Sequence, residues 1–102
     1  MPDTKSALSP SAEGDVLDAI VISESDNIAV CLRDIESGSD VSIRRGQEMI
    51  SVAAIDPIPR GHKIAVREIA DGDKVLKYGE VIGQASQNIG LGNHVHVHNV
   101  VD

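Results

Sequence analysis

The chain has 102 residues and a formal net charge of −7, with 9 Lys and Arg against 16 Asp and Glu, and aromatic residues make up only 1% of it. That length gives one domain with a modest aliphatic core, too small for a large active-site cavity of its own, so substantial chemistry calls for a partner. The acidic balance leaves no basic footprint for phosphate backbones, which excludes nucleic acid, and no apolar run is long enough to cross a bilayer.

Residues 1–15 are rich in Ser, Pro, Asp and Ala without a sustained hydrophobic period and read as a flexible N-terminal arm, leaving residues 16–102 as the domain. From Asp18 onward, short β-branched runs alternate with Gly, Asp, Asn and Pro. This rhythm predicts brief strands at Ala19–Ser23, Asn27–Leu32, Glu48–Ala54, Lys63–Val66, Lys74–Lys77, Val81–Ala85 and His94–Val100. Cys31 sits in the apolar run Ile28-Ala29-Val30-Cys31-Leu32 and reads as a small buried hydrophobe rather than a nucleophile. As the only cysteine it cannot form an internal disulfide, and nothing resembles a signal peptide, so the cytoplasm is the expected compartment.

One phrase recurs: an Ile, two residues, a Gly, two residues, then Val or Ile. It begins at Ile35, Ile58, Ile69 and Ile89 and places Gly38, Gly61, Gly72 and Gly92 at the same point of each copy. Each copy reads as a strand end, a tight turn on the glycine and the start of a new strand. The uneven spacing excludes a solenoid and predicts a compact, barrel-like, mainly β fold of short, sharply bent strands with little helix. Polar residues after each glycine, among them His62, Lys63, Asp73, Lys74, Asn93 and His94, fall at the surface.

Three of the four histidines stand at alternate positions, His94, His96 and His98. In an extended segment they share one face while Val95 and Val97 face the core. Same-face neighbours lie roughly 6.5 to 7 Å apart at Cα, so a His-x-His pair such as His94 and His96 can close on one metal ion, whereas His94 and His98 are about twice as far apart. His62, after the glycine of another copy, is the local candidate for a further ligand. The same rings suit acid/base work on a hydroxylated acid, since imidazole titrates near neutral pH. Lys63 and Lys77 are cations suited to a carboxylate substrate and its developing enolate charge, against the plainer reading of solvated strand-flanking lysines. Tyr78, the single aromatic residue, reads as a core-edge anchor with its hydroxyl in water, and Gly79 and Gly83 as relief for strand bends.

Three stretches together carry a resemblance: GHKIAVREI from Gly61 to Ile69, KVLKYGEVIG from Lys74 to Gly83, and NHVHVHN from Asn93 to Asn99. In this order they resemble the small N-terminal domain of the altronate and galactarate dehydratase family, a SAF-type domain with a β-clip fold, and are similar to the small subunit of sulfolactate sulfo-lyase. The likeness spans about residues 17 to 100; residues 40–51 carry no family signature and read as an insertion or a variant strand pair. The resemblance implies a stand-alone small subunit, inactive by itself, of a carbon–oxygen lyase that dehydrates a sugar acid such as altronate or galactarate by β-elimination. It also implies a divalent metal, Fe2+ in the dehydratases, held mainly by a large catalytic subunit. Carried over by motif, His96, His98, His62 and Lys63 are the catalytic candidates, Lys77, Tyr78 and Asn99 the substrate-binding ones, and His94 with His96 the metal pair. Two alternatives stand beside this: a non-catalytic SAF module that binds carbohydrate or anion, and a small subunit of the sulfo-lyase branch, with self-association open in each case.

Overall fold

Brief apolar runs cut by turn residues fold into nine strands and no helix among the described residues, which in this computed structural model are 17–102. The arm expected over residues 1–15 lies outside them. The strands are β1 (Ala19–Val21), β2 (Ile28–Cys31), β3 (Asp40–Arg45), β4 (Glu48–Ala53), β5 (Lys63–Ala65), β6 (Lys74–Lys77), β7 (Glu80–Ala85), β8 (His94–Val95) and β9 (Val100–Val101). Six of them form one sheet in the order β4-β3-β1-β2-β5-β8, and β6-β7-β9 form a second. All pairings are antiparallel except β1 with β3. The six-stranded sheet curls until its edges approach, and just beyond β4 the amide of Ile55 donates to the carbonyl of Gly92 at 2.9 Å. This near-closure is the barrel-like feature that the recurring turns predict.

The recurring phrase is the fold's organising unit. Its first two isoleucines pair with each other, the amides of Ile35 and Ile58 each donating to the other's carbonyl at 2.8 and 2.9 Å. Ile69 and Ile89 repeat the exchange at 2.8 and 2.7 Å. All four side chains are buried, two in each of two aliphatic clusters. One cluster gathers Val21, Val41, Ile43 and Ile64 around Ile35 and Ile58; the other gathers Ile28, Val75 and Val95 around Ile69 and Ile89. With no large aromatic to fill a core, burial comes from many β-branched side chains, each contributing about 1.5–3 kcal/mol.

Residues 40–51, read as an insertion or a variant strand pair, are a strand pair, the β3–β4 hairpin, and β3 itself escapes a strand reading because Arg44, Arg45 and Gly46 dilute its hydrophobic run. The strand expected from His94 to Val100 breaks after Val95, where residues 96–99 turn before β9. Val97, expected in the core, is 80% exposed at the tip of this turn. Asn99 is the cause: its amide donates to His96 O, its Oδ1 accepts from His96 N, and its Nδ2 donates to His94 O. Asparagine offers the backbone these local partners in place of a strand ladder.

Two side chains join the sheets. Half-buried Asn27 donates from Nδ2 to Lys74 O while its Oδ1 accepts from Leu76 N, tying the start of β2 to β6. Asp26, which is buried, accepts from the amides of Ser23, Tyr78 and Gly79 and so fixes the β6–β7 turn against the β1–β2 loop. Cys31 is buried as expected, its thiol pushed up to about 11 by burial and by the charge of Asp18.

Candidate metal centre

The four glycine turns share one backbone and differ in what the next side chain does. In each, the residue after the glycine donates its amide to the carbonyl three residues back: Ser39 to Glu36, His62 to Pro59, Asp73 to Ala70 and Asn93 to Gly90. In three copies the side chain also bonds within that turn, Ser39 Oγ to Glu36 O, Asp73 Oδ2 to Ala70 N and Asn93 Oδ1 to Gly90 N. His62 does otherwise. Its Nδ1 lies 2.8 Å from Nε2 of His94, and its ring stacks on that of His96 with centroids 3.8 Å apart.

The pairing of β5 with β8 brings these groups together, with Ile64 opposite His94 and Lys63 opposite Val95. The Asn99 turn then holds His96 beside them. The rings of His62, His94 and His96 are nearly parallel, with interplanar angles of 21°, 16° and 9° among the three pairs. One nitrogen from each of the three lies within 4.8 Å of the others. His98, expected too far from His94 to share its surroundings, is carried back by the turn to a ring distance of 5.0 Å, though it is exposed and outside the triad.

Electrostatics favour the neutral form of His94 and His96. His94 is held below the ordinary imidazole value by burial first, then by the charges of His98, His62 and His96, with Asp56 opposing. His96 is lowered by loss of solvent and then by His62, Lys63 and His98. Neutral imidazoles offer lone pairs, which is the form a metal ligand needs. Nδ1 of His96 is buried and has no hydrogen-bond partner, an arrangement that costs free energy unless something else meets that atom. Three convergent nitrogens, beside an unpartnered ring nitrogen of His96, fit a divalent transition metal, and a His-rich donor set suits zinc or iron.

Lys63 is half-buried beside the triad, its ammonium lowered from the usual range by burial and by the charge of Lys77. Lys77 in turn lies with its Nζ 5.0 Å from the centroid of the Tyr78 ring. His62, Lys63, His94, His96 and His98 therefore fall in one region, while Lys77 and Tyr78 lie together at the end of β6. Asn99 differs: its side chain is buried and fully engaged with the backbone of His94 and His96, so it positions those residues. Tyr78 is not the expected core-edge anchor but an exposed residue in a left-handed turn. Gly83 lies beside a bulge in β7, where a Cβ would stand 2.5 Å from Val101 O, so it admits β9 rather than merely easing a bend.

Sequence reasoning missed Asp56. Its Oδ2 accepts from the amide of His94 and from Nδ2 of Asn93, anchoring the start of β8 to the loop after β4. The one signal available is the Asp56-Pro57 pair, which favours a turn but says nothing of what the carboxylate receives.

Comparison with known proteins extends the likeness to the whole described region. Altronate dehydratase from Bacillus subtilis (strain 168) is 45% identical over 80 residues, covering 78% of this chain and 15% of that protein. The galactarate dehydratase (L-threo-forming) of Escherichia coli (strain K12) is 32% identical over 76 residues, 74% of this chain and 14% of that protein. The (2R)-sulfolactate sulfo-lyase subunit alpha of Chromohalobacter salexigens is 53% identical over 45 residues, 44% of this chain and 48% of that subunit. The chain thus spans about 15% of the length of the dehydratases it matches. The profile described as the altronate/galactarate dehydratase SAF domain matches residues 17–102, including the β3–β4 hairpin, and the chain belongs to that family.

Proposed function

We propose that this chain is the SAF component of a sugar-acid hydro-lyase, supplying histidines and lysines to a site completed by a larger catalytic polypeptide. The observation that carries this is the convergence of His62, His94 and His96 around the unpartnered Nδ1 of His96. These three residues would hold the divalent metal, which when bound supplies Lewis acidity toward a carboxylate or hydroxyl oxygen. Lys63 and Lys77 attract the substrate carboxylate, and their charge favours the enolate that forms when the proton beside it is removed. His98, exposed at the rim, would take that proton on a ring nitrogen. The electron pair left on carbon then forms the double bond as the neighbouring carbon–oxygen bond breaks, and hydroxide leaves as water after receiving a proton. Asn99 and Asp56 hold the backbone of His94 and His96 in place throughout.

The sulfo-lyase branch would use the same groups with sulfite as the leaving group, and the likeness to a subunit alpha supports keeping it as the second reading. Co-purification of the chain with its native large partner, followed by a screen for 2-oxo acid and sulfite release from altronate, galactarate and sulfolactate, separates the two. A reconstituted enzyme whose turnover is indifferent to His62→Ala, His96→Ala and His98→Ala would sink the assignment of the site.

A further inference from the structure

The β6–β7 turn contradicts its own sequence preferences. A two-residue hairpin loop with both residues at positive φ favours Asn-Gly, Asp-Gly or Gly-Gly, because a side chain other than a short polar one crowds the backbone in the left-handed region. Here the pair is Tyr78-Gly79, at φ +58° and +76°. Tyr78 is the one residue other than glycine with positive φ among the described residues. Burial does not repay it, since the side chain is 56% exposed. Neither turn chemistry nor the core accounts for a tyrosine at this position.

The conformation is nevertheless held firmly. Asp26, 1% exposed, receives the amides of Tyr78 at 2.9 Å, Gly79 at 2.8 Å and Ser23 at 3.0 Å, so a buried carboxylate fixes the direction in which the ring leaves the turn. Asn27, next to Asp26, fixes β6 from its other end. The ring lies beside the Lys77 ammonium at the end of β6; Asn27 ties β6 to the start of β2, and β2 pairs with β5, where Lys63 stands opposite Val95 and Ile64 opposite His94. Strain retained in a clamped, exposed residue is the pattern of a side chain kept for contact with a ligand.

We infer that Tyr78 is a specificity-determining residue: a rigid platform that packs against the hydroxylated carbon chain of a sugar acid whose carboxylate is held by Lys63 and Lys77. This rests on the reading that the histidine face binds such an acid, and it adds which part of the ligand is read and by what. An aromatic ring offers its face to the C–H surface of a polyol and its hydroxyl to a ligand hydroxyl, neither of which a plain dicarboxylate can match in full.

The test compares galactarate with adipate, two six-carbon dicarboxylates that differ in their hydroxyls, by calorimetric titration of the full chain and of Tyr78→Asn. The wild-type chain should bind galactarate at least about tenfold more tightly than adipate, about 1.4 kcal/mol of discrimination. Tyr78→Asn should erase that ratio and raise the thermal midpoint by about 4 °C, since asparagine tolerates the left-handed backbone. A variant that discriminates like wild type, a wild type that does not discriminate, or a midpoint that falls would each overturn the inference. Zn(II) titration of the wild-type sample reads the triad separately. Zn(II) bound without discrimination defeats the role of Tyr78 alone, whereas discrimination without Zn(II) bound upholds it and removes the metal.

Discussion

Three of the four glycine turns close on themselves and one opens outward, and this contrast separates scaffold from site. At Ser39, Asp73 and Asn93 the side chain completes a hydrogen bond within its own turn; at His62 it reaches the rings of His94 and His96. The backbone is the same in all four, so the difference lies in one side chain. A repeated structural unit can thus give up a local bond at a single copy and turn that side chain toward its neighbours, with the loss of about 1 kcal/mol from one turn.

The strongest way to break the comparison is through the backbone that all four turns share. Gly92 combines φ +89° with a Cβ position only 2.1 Å from Ala53 O, whereas Gly72, at φ +90°, has nothing within 4 Å. Denaturant unfolding should show Gly92→Ala losing about 3 kcal/mol or more, and Gly72→Ala about 1 kcal/mol. Next comes the outward-facing turn. His62→Ala and His96→Ala should each lower Zn(II) affinity by about 100-fold or more in chelator competition, while Asp73→Ala leaves affinity unchanged.

Asn99→Ala sharpens the contrast further, because it strands the amide of His96 and the carbonyl of His94. It should cost about 1–3 kcal/mol of stability and roughly tenfold in Zn(II) affinity, so one variant moves both readouts. Asp73→Ala, by comparison, should lose about 1 kcal/mol and nothing else. The smallest effect concerns pH. His94 and His96 titrate below the ordinary imidazole value in the fold, so they favour the folded state above pH about 6.5, and that contribution fades as pH falls toward their depressed values. The thermal midpoint of the metal-free chain should therefore decline from pH 7.5 to 5, and the decline should be shallower in a His94→Gln, His96→Gln double variant.

Much of this is readable before any coordinates. Glycine at a fixed place after isoleucine announces each turn, and six of the nine strands follow from β-branched runs between turn residues. What escaped depends on contacts distant in sequence. The β3 strand is hidden because its pairing with β1 and β4 outweighs the arginines at its end. The histidine row looked continuous because alternation predicts a strand, while the three bonds of Asn99 favour a turn. That error mattered less than expected: the turn still gathers His94 and His96, and His62 joins them through the β5–β8 register. Asp56 and Asp26 stayed invisible because an acidic side chain in a loop gives no hint that distant amides converge on it.

The raised thiol of Cys31 has a practical consequence. A buried sulfur that remains protonated at working pH is slow toward maleimides and disulfide reagents, and the sequence contains no other cysteine. A Val97→Cys variant would therefore carry a single fast-reacting label at the tip of the β8–β9 turn, against a silent background. Fluorescence from that label, quenched or shifted on mixing with a candidate polypeptide, would show whether and how fast it docks beside the histidine face.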